Sequence, residues 1–193
     1  RVLCEQPLIA SQPMPLADLE RSLAMKLKAL TKTLQRQFLS LHNNFPGRYP
    51  FSHTFKTNAL PCGAGSSTGA VYPTISFINH SCIPNSQHSW NGTTRQETVH
   101  AIRPISAGDE ITIAYDRGGT YSTRRKFLQE SFGFQCDCPK CLSPPAELRD
   151  SDTRRRLIET LDAAIGDPFR MQTQPAQSLE NCQSLLGVLE EEY

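Results

Sequence analysis

Three cysteines stand at Cys136-x-Cys138-x-x-Cys141, inside the run Phe134-Gln-Cys-Asp-Cys-Pro-Lys-Cys. Thiolates at that spacing supply three ligands to one tetrahedral ion, and a structural zinc site takes four. The fourth must come from elsewhere. Cys82, within Asn79-His80-Ser81-Cys82-Ile83-Pro84-Asn85, is the leading candidate. A metal held that way staples two segments more than fifty residues apart. Four thiolates leave no open coordination position, so the ion would be structural and not catalytic. The chain has seven cysteines, an odd number with three crowded into six positions. A disulfide framework spreads and pairs its cysteines, so the pattern favours metal in a reducing compartment. Cys4, Cys62 and Cys182 are left as free thiols and are expected as small buried hydrophobes. His42, His53, His88 and His100 show no ligand spacing and are expected at the surface or in turns.

These groups need elements to position them. Val2 to Ile9 reads as a short strand ending in a proline-rich turn. Leu16, Leu19, Leu23, Leu27, Leu30, Leu34, Phe38 and Leu41 recur at steps of three and four, which predicts one amphipathic helix. Asn43-Asn44-Phe45-Pro46-Gly47 stops it. Its opposite face carries Lys26, Lys28, Lys32 and Arg36 and reads as solvated. Residues 61–70 form a glycine-rich loop without either phosphate-binding pattern. Strands are expected at Val71–Ile78, Thr98–Ile102 and Ile111–Tyr115, with a turn at Pro104–Glu110. A short basic helix, Ser122–Phe132, leads into the cysteines. Beyond Pro144-Pro145 two helices follow, from about Asp150 to Ile165 and from about Pro175 to Glu192. Leu179, Cys182, Leu186 and Leu189 are expected to form the buried stripe of the second. Arg154-Arg155-Arg156 reads as a solvated helix face.

Taken together, three runs resemble the SET-domain protein lysine methyltransferases. They are Asn79-His-Ser-Cys82-x-Pro-Asn85, Gly108-Asp-Glu110-Ile-Thr-Ile-Ala-Tyr115 and the Cys136–Cys141 cluster, in that order. The resemblance is closest to SMYD-like and fungal SET proteins, covers roughly residues 1–142, and matches the Leu16–Leu41 helix to an insert before the Asn-His-Ser-Cys run. It implies a β-rich α+β fold of small curved sheets around a knot-like core, with an inserted helix at about 15–43. The SET domain would span 1–135, the post-SET zinc motif 136–142 and a C-terminal helical extension 143–193.

The resemblance also implies roles. Asn79 and His80 would contact S-adenosylmethionine, as would Thr57 and Asn58 in the segment Lys56-Thr57-Asn58. Tyr115 would be the active-site tyrosine and lie beside the cofactor. Phe134 would pack on the adenine side, and Phe132 and Phe134 would wall the lysine channel. Cys82, Cys136, Cys138 and Cys141 would bind one structural zinc. The implied reaction is methyl transfer to lysine in a protein partner, histone or non-histone. The alternative is a non-catalytic SET-like module that keeps its zinc and binds a peptide or protein.

Two family features are missing from the sequence. No G-x-G turn precedes Val2, and Cys4 and Cys62 are too isolated for a MYND-type zinc module. The chain opens at Arg1 without an initiator methionine or an apolar leader, so a trimmed chain with no signal peptide is expected. A net charge of +1 over 193 residues gives no electrostatic case for nucleic acid or membrane surfaces. No apolar run reaches the ~18 residues a membrane span needs. A zinc ribbon for nucleic acid is disfavoured on the same grounds. An intracellular setting, nucleus or cytoplasm, is expected.

Overall fold

The computed structural model describes residues 3–116 and 118–193. The start of the first expected strand, at Val2, lies outside them. Backbone contacts divide the chain into two compact units. One runs through Ala114 and includes Ser131–Gly133; the other comprises Tyr115–Glu130 and Phe134–Tyr193.

The first unit is α+β. It contains β1 (Leu3–Glu5), β2 (Ile9–Ser11), α1 (Leu16–Ala29), α2 (Lys32–Leu39), α3 (Pro50–Asn58), β3 (Ala59–Pro61), β4 (Gly69–Val71), β5 (Asn79–His80), β6 (Ser86–Asn91), β7 (Gln96–Ala101) and β8 (Thr112–Ile113). Three small sheets result: β1-β7-β6, β2-β4-β3, and the pair β5-β8. The first two are antiparallel; β5 and β8 run parallel.

The expected single helix over Leu16–Leu41 is broken in two. Leu30 and Thr31 are both extended, and the Thr31 hydroxyl accepts from Leu34 N at 3.4 Å. Threonine is a good N-cap because its side-chain oxygen meets an otherwise unpaired N–H, so a new helix starts there. The apolar stripe still reaches one core. Leu19, Leu23, Leu27, Phe38 and Leu41 pack with Ile9, Phe55 and Val71.

The α3 helix has no counterpart among the sequence expectations. Pro50 opens it, and its own N-cap, Tyr49, offers no side-chain cap. Instead Glu20 of α1 accepts from Phe51 N at 3.2 Å and Ser52 N at 2.7 Å. A carboxylate there meets two free N–H groups and the positive helix end.

The expected strand at Val71–Ile78 ends at Val71, because Pro73 cannot continue a ladder. A 3-10 turn, Ile75–Phe77, follows, and Glu5 caps it by accepting from Thr74 N at 3.0 Å and Ile75 N at 3.0 Å. β6 has no counterpart among the sequence expectations because Ser-Gln-His-Ser-Trp-Asn is polar. It is held by full pairing with β7, from Ser86↔Ala101 to Asn91↔Gln96. His88 is therefore a sheet residue, with Nδ1 2.9 Å from the buried carboxylate of Glu97.

The second unit is helical: α4 (Tyr121–Phe132, whose last two residues count with the first unit), α5 (Pro145–Ile165), α6 (Pro168–Thr173) and α7 (Pro175–Glu192). α4 and α7 lie where the sequence places them. α5 starts five residues early, with Pro145 in its first turn, where a missing N–H costs nothing. The expected stripe on α7 is corrected. Leu179 and Leu186 are 61% and 59% exposed, and Cys182 is exposed too. The half-buried or buried positions of α7 are instead Ser178, Asn181, Leu185, Val188, Leu189 and Glu192. Cys4 and Cys62 are half-buried, so none of the three free thiols is a core residue. Among the described residues no helix is long and apolar enough to cross a membrane.

Candidate functional site

The polar run after the 3-10 turn is built onto β8. β5 pairs with it in parallel register, Asn79↔Thr112 and His80↔Ile113, and Ser81 N extends the ladder to Ile113 O at 3.0 Å. The Asn79 amide donates to Glu110 Oε1 at 2.7 Å. Asn85, at the other end of the run, is the stronger anchor. Its Nδ2 donates to Glu110 O at 2.8 Å, and its Oδ1 accepts from Thr112 N at 2.9 Å. Ser86 Oγ adds a bond to Thr112 O at 2.8 Å. One asparagine thus pairs two backbone groups, Thr112 N at the start of β8 and Glu110 O just before it. Sequence reasoning misses this role of Asn85; its place three residues after Cys82, within the Asn-His-Ser-Cys run, is the available signal.

Tyr115 follows two residues after Ile113, beyond the strand, and is half-buried. The expected strand Ile111–Tyr115 is therefore cut to Thr112–Ile113. Thr57 and Asn58 close the last turn of α3. Thr57 Oγ1 donates to His53 O at 2.9 Å and accepts from Asn44 N at 3.2 Å. Asn58 Nδ2 donates to His42 O and Thr54 O, both at 2.7 Å. The Asn58 carbonyl accepts from Ser76 Oγ at 3.5 Å, which ties this segment to the 3-10 turn just before Asn79. Phe132 and Phe134 are half-buried.

His80 Nε2 lies 3.3 Å from Cys82 Sγ, and Cys82 is buried. In the second unit Cys136, Cys138 and Cys141 are buried, with their sulfurs within 4.8 Å of one another. Cys82, the expected fourth ligand, is a buried thiol of the first unit. These thiols fit zinc by their chemistry, since all four are soft sulfurs withdrawn from water. Burial pushes the Cys136 thiol up to about 12, and the Cys138 and Cys141 sulfurs beside it add to the shift. A cation bound by these sulfurs takes the place of their protons.

The SET domain family matches residues 3–116. The chain belongs to the SET-domain family. It is 36% identical over 168 residues to the histone-lysine N-methyltransferase set5 of Schizosaccharomyces pombe, covering 86% of this chain and 50% of that protein. It is 43% identical over 72 residues to the human histone-lysine N-methyltransferase SMYD3, covering 37% of this chain and 16% of that protein. The chicken protein-lysine N-trimethyltransferase SMYD5 shares 39% over 103 residues, 50% of this chain and 24% of that protein. The chain thus spans half of set5 and smaller shares of the other two.

Proposed function

We propose that this SET-domain chain transfers methyl groups from S-adenosylmethionine to the side-chain amine of lysine in a protein, histone or non-histone. The observation that carries the reading is the parallel pairing of β5 with β8. It sets Asn79 and His80 alongside the strand that runs directly into Tyr115. The relatives named as lysine methyltransferases support the same reaction class. Nucleus or cytoplasm is the setting that such substrates imply.

The residues fit the cofactor. Asn79 is exposed and spends its amide on Glu110. Its carbonyl oxygen remains an acceptor for the ammonium of a methionyl group. Thr57 and Asn58 commit their side chains to backbone partners, so their role toward the cofactor runs through the backbone. When bound, S-adenosylmethionine supplies an electrophilic methyl on a cationic sulfonium.

In-line displacement needs alignment above all, and positioning contributes ~7–11 kcal/mol in well-oriented cases. The lysine must arrive neutral although its free pKa is near ~10.4. An apolar channel walled by Phe132 and Phe134 disfavours the ammonium by desolvation. The same rings tolerate a methylated cation through their π faces. The Tyr115 hydroxyl orients the amine toward the methyl. Cys82, Cys136, Cys138 and Cys141 would hold one zinc that fixes the tail carrying Phe134.

The test is transfer of labelled methyl to histones and to cell-extract proteins, with and without Tyr115→Phe. The expected result is labelled protein lysine, with the rate falling ~100-fold in the variant, as a misplaced reactive group implies. S-adenosylmethionine binding should persist in the variant by calorimetry. No labelled lysine from the wild-type chain, or an unchanged rate in the variant, overturns the reading. Binding of a peptide without transfer would instead mark a non-catalytic module.

A further inference from the structure

A buried charged group at the end of α7 takes no part in the reaction above. Glu192 is 4% exposed, yet its carboxylate gathers four donors. Oε1 accepts from Ser151 Oγ at 2.6 Å and Arg155 Nε at 2.7 Å, and the Lys140 ammonium lies 3.1 Å away. Oε2 accepts from Arg154 Nε at 3.0 Å. Ser151, Arg154 and Arg155 all belong to α5. Lys140 does not. It lies between Cys138 and Cys141, in a turn closed by Cys141 N to Cys138 O at 2.9 Å and Leu142 N to Cys138 O at 3.1 Å.

A buried carboxylate needs compensation, and the two α5 arginines already supply it. Lys140 is drawn in besides, with its side chain only 15% exposed. Lysine ordinarily keeps its ammonium in water and its stem free to rotate. Fixing that stem fixes the turn that sets the spacing of the Cys138 and Cys141 sulfurs. Partners just outside a metal's ligands commonly matter for affinity because they orient the ligands.

We infer that Glu192 is a positioning residue for the cysteine turn, holding Cys138 and Cys141 through Lys140 in the arrangement a metal requires. The inference rests on the zinc reading given above. It couples α7 to the metal motif, and by reciprocity metal loading strengthens the docking of α7.

The experiment uses the whole chain, stripped of metal and titrated with cobalt(II). The thiolate-to-cobalt absorption reports loading, and a chromophoric chelator competes for zinc(II). Four variants are compared: Glu192→Gln, Lys140→Met, the double variant, and Leu185→Ala. Leu185 is half-buried on α7 and lies outside the Glu192 cluster. Glu192→Gln and Lys140→Met should each weaken zinc binding ~10–100-fold. The double variant should be no weaker than the weaker single one, since both remove one interaction. Leu185→Ala should lower thermal stability and leave zinc affinity near wild type. Lys140→Met leaves no buried charge unpaired on the turn, so it remains informative if Glu192→Gln folds poorly. A wild-type thiolate band with unchanged affinity in Lys140→Met and Glu192→Gln overturns this inference alone. So does an equal loss in Leu185→Ala. A wild-type chain with no thiolate–cobalt band overturns the zinc reading and this inference together.

Discussion

At the scale of single residues, the polar side chains nearest the candidate site work mainly on the backbone. Asn85 is the clearest case, because it serves both Glu110 O and Thr112 N. Asn85→Ala would leave both groups without that partner, at ~1–3 kcal/mol for each one left buried and unpaired. Glu110 is exposed, so water meets its carbonyl, and urea unfolding should show a loss of about 1–3 kcal/mol from the half-buried Thr112 N–H. Because β8 leads to Tyr115, the variant should also weaken S-adenosylmethionine binding in calorimetry. Unchanged stability would mean that water replaces the amide. The Cys136–Cys141 spacing was legible because metal geometry leaves few choices of residue type. The roles of Asn85, Glu110 and Glu192 were not, since each depends on a partner far away in sequence.

At the scale of elements, the insert shows how periodicity and capping compete. Steps of three and four correctly identified Leu23, Leu27 and Phe38 as core positions, all buried. They did not reveal the break, since a stripe can stay in phase across a kink. Thr31 carried that information as a cap inside an apolar pattern. The two features should separate in energy. Leu23→Ala removes a fully buried side chain and should cost about 2–5 kcal/mol. Thr31→Ala removes one long cap bond and should cost about 1 kcal/mol. Denaturant midpoints of the two variants check the order; equal losses would mean that the cap bears more than its geometry suggests. β6 and α3 were hidden for related reasons. One is a polar strand held by its neighbour, and the other is capped by Glu20 from a different helix. Short strands in the first unit were expected correctly as a class, but their ends were not, because prolines and two-residue ladders set them.

At the scale of the whole molecule, Glu192 gives the second unit a defined response to acid. Burial alone would raise its pKa, but hydrogen bonds from Ser151, Lys140 and Arg155 outweigh burial and lower it below the usual value of 4.5. A carboxyl whose folded pKa is depressed stabilises the fold fully above its unfolded value. That contribution fades as pH falls through the folded value. At pH 7, Glu192→Gln should destabilise the chain by ~3–5 kcal/mol, as loss of one partner in a buried charge cluster does. Below the folded pKa the wild type and the variant should converge. Thermal melts of both proteins from pH 7 downward measure this, and a constant gap would rule out the carboxylate as its source. The first unit faces a different constraint, one of time. β1 pairs with β7 in the register Leu3↔Val99, so the two strands are about 95 residues apart along the chain. At a synthesis rate of ~5–20 residues per second, β1 waits on the order of 5–20 s for its partner to be made. For that interval an unpaired strand leaves the ribosome ahead of the sheet that will receive it.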